Sequence, residues 1–217
     1  MAVTSDTRRI GFPVLGGGKR DRRIRWPERM PSFNLTRSLI REVRVGDAPA
    51  LAATMADAGL QGHVGGPVLS ARDVSRFIRW VRQERQHERL VCFAVVPHDT
   101  ETAAGVFQMW PVGRDCGALE MGFALDPRLW GTGAFRECAR AAIDYAFDSM
   151  GIHRIEARIS VANLRAQAAL AKLGAVREGV LRQCFWSEGR LTDYELWSIV
   201  SADWLRHREA RDAETGT

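Results

Sequence analysis

No run of about 18 apolar residues occurs in the sequence, so the pattern that a membrane-spanning helix needs is missing. Cysteine is sparse and scattered. Cys92, Cys116, Cys138 and Cys184 form no C-x-x-C pair, which argues against both a zinc knuckle and a disulfide framework and fits a reducing compartment. The five histidines fall in no ligand or triad spacing, so no metal is expected. Tyrosine is limited to Tyr145 and Tyr194, and no internal repeat is found. The first residues place glycines and arginines where a secretory signal needs an apolar core. Together these absences point to a cytoplasmic protein with no membrane partner.

What is present is enough for one domain: 217 residues, 46% of them hydrophobic. Charge is uneven. Residues 1–29 hold eight bases against three acids, which accounts for the whole formal net charge of +5. With Gly16-Gly17-Gly18 and no sustained apolar period, this stretch reads as a basic, disordered arm. Met30 begins the foldable part, so an upstream mis-assigned start is an open alternative for the arm. The domain is expected over 30–207, with a flexible tail over 208–217. A balanced body makes nucleic acid an unexpected partner except through the arm.

From Leu39 the signals alternate. Leu39 to Val45 reads as a strand, and Asp47 is placed to cap a helix running to about Ala58. Ser70 and Asp73 have capping-box spacing, and Val74, Phe77, Ile78 and Val81 recur at helical intervals up to about Gln86. Leu90 to Val96 and Gly105 to Trp110 are apolar strand runs. In Ala118 to Leu125, period two puts Leu119, Met121, Phe123 and Leu125 on one face and Ala118, Glu120, Gly122 and Ala124 on the other, a small face with one carboxylate. A helix from Phe135 to Met150, stopped by Gly151, leads to a strand over 154–161, and β-turn-α-β favours parallel pairing. Asn163 can cap a helix ending at Gly174, and 180–186 with 191–200 reads as a closing hairpin.

Arg128-Leu-Trp-Gly-Thr-Gly-Ala134 lies between strand and helix, where backbone N–H groups and the helix dipole make an anion site that fits a pyrophosphate. Arg128-x-x-Gly131-x-Gly133 resembles the acetyl-CoA loop of the GNAT acetyltransferases. Asn163-Leu-Arg-Ala166 with Lys172-Leu173-Gly174, then Gly179-Val-Leu-Arg182, Gly189, Asp193, Leu196-Trp197-Ser198 and Trp204, are similar to later segments of its ribosomal-protein N-terminal (Rim-type) branch.

That resemblance implies an α/β fold with a mixed, mostly antiparallel sheet, a splayed parallel pair in the middle and flanking helices. It implies an N-acetyltransferase that uses acetyl-CoA as co-substrate, with no metal. Phe123, Ala124 and Leu125 would contact pantetheine, and Trp130, Gly131, Thr132, Gly133 and Ala134 would hold the pyrophosphate. Arg128 would bridge a phosphate or be a solvated turn arginine, and Asn163 would bond the cofactor or simply cap its helix. Glu120 resembles the carboxylate that takes the acceptor's proton; the alternatives are pairing with an arginine or attracting a cation, with Asp193 and Glu195 in reserve. Leu170 stands where some relatives have a tyrosine acid, which implies that the thiolate leaves unaided. The acceptor is a protein N-terminus or lysine attacking directly in a ternary complex. A small-molecule amine (an antibiotic or polyamine), or acyl-CoA binding without turnover, are the alternatives, and a homodimer is open to it.

Overall fold

The alternating segments fold into one eight-stranded sheet in the computed structural model, which describes residues 23–64, 68–113, 116–187 and 190–215. The strands are β1 (Phe33–Asn34), β2 (Ser38–Glu42), β3 (Val91–Pro97), β4 (Gly105–Pro111), β5 (Ala118–Leu125), β6 (Arg154–Ser160), β7 (Val176–Ser187) and β8 (Arg190–Val200). Their spatial order is β1-β2-β3-β4-β5-β6-β8-β7, and every neighbouring pair is antiparallel except β5 and β6. The mixed sheet and its central parallel pair are as expected.

Helices α1 (Ala48–Ala56), α2 (Ala58–Val64), α3 (Ala71–Gln86), α4 (Ala134–Asp144), α5 (Leu164–Ala171) and α6 (Ser201–Thr215) flank it. Strand alternation divides the core in two. Leu119, Met121 and Leu125 pack with Cys138, Ala142 and Ile143 of α4 and Leu170 of α5, while Val106, Trp110 and Ala124 pack with Leu51 of α1 and Phe77 of α3. Ser70 caps α3 as its spacing predicts: its hydroxyl accepts from the Asp73 N–H at 3.2 Å and Asp73 returns a bond to the Ser70 N–H at 3.1 Å.

Several boundaries differ from expectation, each for a packing reason. Asp47 does not cap α1. A short 3-10 turn over Val45–Asp47 swings its carboxylate back onto β2, where both oxygens take the Arg41 guanidinium at 2.8 Å. The helix expected to run to Met150 loses its α register at Tyr145–Ser149, a π turn closed by the Met150 N–H on the Tyr145 carbonyl. Residues 23–29, assigned to the arm, are docked instead. Ile24 is 5% exposed in the core, the Arg25 N–H donates to the Met150 carbonyl at 2.9 Å, and Arg85 reaches the Glu28 carbonyl. Apolar Ile24 and Trp26 inside the charged stretch supply the burial that an arm lacks; residues 1–22 lie outside the described residues. The tail expected from residue 208 begins within α6, where Arg208 bridges Asp144 and Asp148. The turn at Glu188-Gly189 lies outside the described residues.

Candidate active site

Strands β5 and β6 pair only over Ala118 to Glu120 with Arg154 to Glu156. Beyond that point no register pair joins them, so the backbone edges of Met121 to Leu125 and Ala157 to Ser160 diverge. A wedge opens there. Its apex is Glu120, opposite Glu156 on β6 and Trp110 on β4.

At the open end of β5 lies the glycine loop. Asp126 accepts the Arg128 N–H at 2.9 Å and starts a 3-10 turn; then Gly131 at φ +74° and Gly133 at φ +90° bring the chain to the head of α4. A Cβ at either glycine would meet no heavy atom within 4 Å. Crowding inside the fold therefore does not demand glycine; the left-handed backbone and an open mouth before an eleven-residue helix do, and this geometry fits a pyrophosphate. Thr132 braces the loop, donating to the Leu129 carbonyl at 2.8 Å and accepting from the Ala134 N–H. Trp130 turns inward, its indole N–H on the Leu125 carbonyl at 3.0 Å and its ring packed against both core halves. The guanidinium of Arg165, in the first turn of α5, stacks over that ring at 4.0 Å. Arg128, 80% exposed, is engaged by both oxygens of Asp126.

The small face of β5 is not empty. Ala124 belongs to the second core half and Glu120 is only 4% exposed, because β4 and the α1–α3 layer cover it. Phe123 turns the other way, with its ring 4.8 Å from that of Phe135. Burial pushes the Glu120 carboxyl up to about 7; the Arg158 guanidinium opposes the shift, the Glu156 charge adds to it, and a Trp110 hydrogen bond lowers it. Arg158 donates from Nη1 to Glu120 Oε2 at 2.9 Å. Next along this face, Arg154 binds Glu156 at 2.9 Å and both oxygens of Glu178, whose Oε1 also takes the Ser198 hydroxyl. The result is a polar strip beside the wedge with three carboxylates and two guanidiniums. Such a strip can receive a cationic amine, and a buried carboxyl titrating near neutrality can accept its proton.

The other candidates are occupied elsewhere. Asn163 Oδ1 accepts the Ala166 N–H at 3.1 Å, a helix cap. Asp193 holds the Gln183 N–H across a bulge in β7, and Glu195 is bound by Arg177 and the Trp197 indole. Leu170 is buried in the core. Cys138 is buried against Ser38, and burial raises its thiol to about 11, unsuited to nucleophilic work. The sequence reading missed Arg158, Trp110 and Arg165. Arg158 is visible only as the outward position between Ala157 and Ile159, and its meeting with Glu120 depends on the β5–β6 register.

An open parallel wedge, a glycine anion loop at a helix head and a buried carboxylate at the apex define an acyl-group transferase of the nucleotide-thioester kind. The chain belongs to the GNAT acetyltransferase family, whose domain model matches residues 37–176, and it is an N-acetyltransferase. It is 26% identical over 179 residues to the uncharacterized N-acetyltransferase p20 of Bacillus licheniformis, covering 81% of this chain and 99% of that one. It is 31% identical over 91 residues to the ribosomal protein uS5-alanine N-acetyltransferase of Escherichia coli (strain K12), covering 42% of this chain and 47% of the relative. Among solved structures, Mycobacterium smegmatis RimJ in complex with CoA-disulfide superposes with a TM-score of 0.72 at 22% identity, over 82% of this chain and 90% of that one. Among the described residues no helix is long and apolar enough to cross a membrane, and no group of three or more His, Cys, Asp or Glu is placed to hold a metal.

Proposed function

We propose that the enzyme moves an acetyl group from acetyl-CoA to a primary amine of a protein, an N-terminus or a lysine, by direct attack within a ternary complex. The carrying observation is the buried Glu120 carboxyl at the apex of the wedge, titrating near 7 beside a polar strip. Acetyl-CoA supplies an activated acyl group as a thioester. The chain's own residues do the rest. Trp130 to Ala134 cradle the pyrophosphate, and the free backbone edge from Phe123 to Leu125 orders the pantetheine arm. Arg128 exchanges Asp126 for a phosphate, and Asn163 bounds the far side of the wedge as the cap of α5. An ammonium of ordinary pKa near 10.4 must lose a proton before attack, and Glu120 takes it. The thiolate leaves without a side-chain acid, since Leu170 offers none.

A thiol-release assay across N-terminal peptides, lysine peptides, polyamines and aminoglycosides tests the acceptor. Peptide turnover that disappears in Glu120→Gln supports the reading. Preference for a polyamine or an antibiotic refutes the protein acceptor, and thiol release from no amine at all refutes turnover.

A further inference from the structure

On β4, Gln108 is fully buried, yet neither its amide nitrogen nor its amide oxygen has a hydrogen-bond partner. Its strand neighbours Val106 and Trp110 belong to the second core half, so Gln108 shares their face, and the register sets it opposite Gly122. Trp110 stands opposite Glu120, which makes Gln108 the diagonal neighbour of Glu120, a relation of about 7–8 Å between backbone positions. On the other flank of Glu120, Arg158 donates from Nη1 while its buried Nε also lacks a partner. Three unsatisfied polar atoms thus surround one carboxylate.

A buried amide with both ends unpaired costs stability, and apolar residues of similar size fit strands well. Its retention beside Gly122, where no side chain fills the strand face, calls for an occupant that both donates and accepts. The site is enclosed and polar, and the diagonal spacing is too long for direct contact and suited to one bridge. Water is that occupant.

We propose that Gln108 is a positioning residue for acetyl transfer, holding over Gly122 the water through which the acceptor's proton reaches Glu120. The ammonium gives its proton to this water as the water gives one to the carboxylate. The neutral nitrogen then forms its bond to the thioester carbon as the carbon–sulfur bond breaks and the electron pair leaves on the CoA thiolate. The proposal rests on the reading of Glu120 as base, so its test is built around that residue.

Gln108→Met keeps length and removes the polarity. The expected result is a kcat about tenfold lower with an unchanged KM for acetyl-CoA, and a melting temperature equal to wild type or higher by about 2–4 °C. In a Glu120→Gln background the same substitution should cost nothing further, because the proton path is already cut. Gln108→Asn, which restores both polar ends, should recover part of the rate, and Gln108→Leu repeats the test if the methionine variant folds poorly. An unchanged kcat in a folded variant would overturn the proposal, as would an equal tenfold loss in both backgrounds. Failure of the base reading shows separately, as a full kcat in Glu120→Gln alone.

Discussion

The Arg158 guanidinium sits 2.9 Å from Oε2 of Glu120 across the only parallel junction of the sheet. Within this pair the charge of Arg158 pulls the carboxyl down while burial pulls it up, and burial wins, leaving it near 7. Replacing Arg158 by Gln removes the opposing influence. The acidic limb of kcat/KM should then move to higher pH, read from rate profiles between pH 5 and 9; a limb that stays in place separates Glu120 from that ionisation.

Glu120→Gln keeps the shape and removes the basicity. A fall in kcat of about 10²-fold with acetyl-CoA affinity nearly unchanged is expected, and higher pH should restore part of the rate by deprotonating the amine in solution. If instead only the acceptor KM rises, the carboxylate attracts the cation and does no proton transfer.

The same carboxyl sets a pH dependence of stability. Its folded value of about 7 lies above the ordinary 4.5, so the folded state holds the proton more tightly. Stability therefore falls as pH rises between these values, and the loss is complete above 7. Relative to wild type, Glu120→Gln should be even near pH 4 and more stable at pH 8, by up to about 3 kcal/mol. Denaturant titrations at the two pH values measure it, and a gap that does not grow with pH contradicts the raised carboxyl.

At the loop, Gly131→Asp places a side chain and a negative charge in the open mouth before α4. Acetyl-CoA binding should weaken at least tenfold by calorimetry. The positive φ of +74° adds a fold cost of about 1–2 kcal/mol, small enough for the variant to remain folded. Full affinity in a folded variant removes the pyrophosphate assignment.

Two truncations separate the amino-terminal stretch into parts. Deleting residues 1–22 removes no candidate site residue and should leave both melting temperature and acetyl transfer to a small amine intact. Deleting 1–29 also removes Ile24, whose burial is worth about 1.5–3 kcal/mol, and should lower the melting temperature clearly. Equal melting temperatures for the two would mean that Ile24 and Trp26 contribute nothing.

Local pattern carried most of the architecture. The alternation in β5, the apolar stripe of α3 and the strict in-out pattern of β6 each reflect a face buried along a single element, so their periods survive in sequence. What failed depended on partners distant in the chain. Asp47 looks like a cap until the buried Arg41 claims it, and the arm looked unfoldable because Ile24 and Trp26 are two apolar residues among bases. In the site, the glycine loop was legible because positive φ demands a residue type. The pairing of Glu120 with Arg158 was not, since it needs the register of two strands separated by a helix. Gln108 left one signal: it is the lone polar residue in an otherwise apolar β4.

The short junction between β5 and β6 has a mechanical consequence. The sheet is two plates, β1 to β5 and β6 with β8 and β7, riveted along three residue pairs at one end and left to gape at the other. A ligand lying in the gape touches both plates and works as a second rivet, so donor binding should stiffen the whole sheet rather than one loop. Amide protons along Met121 to Leu125 and Ala157 to Ser160 would then slow their exchange together, although they belong to different plates.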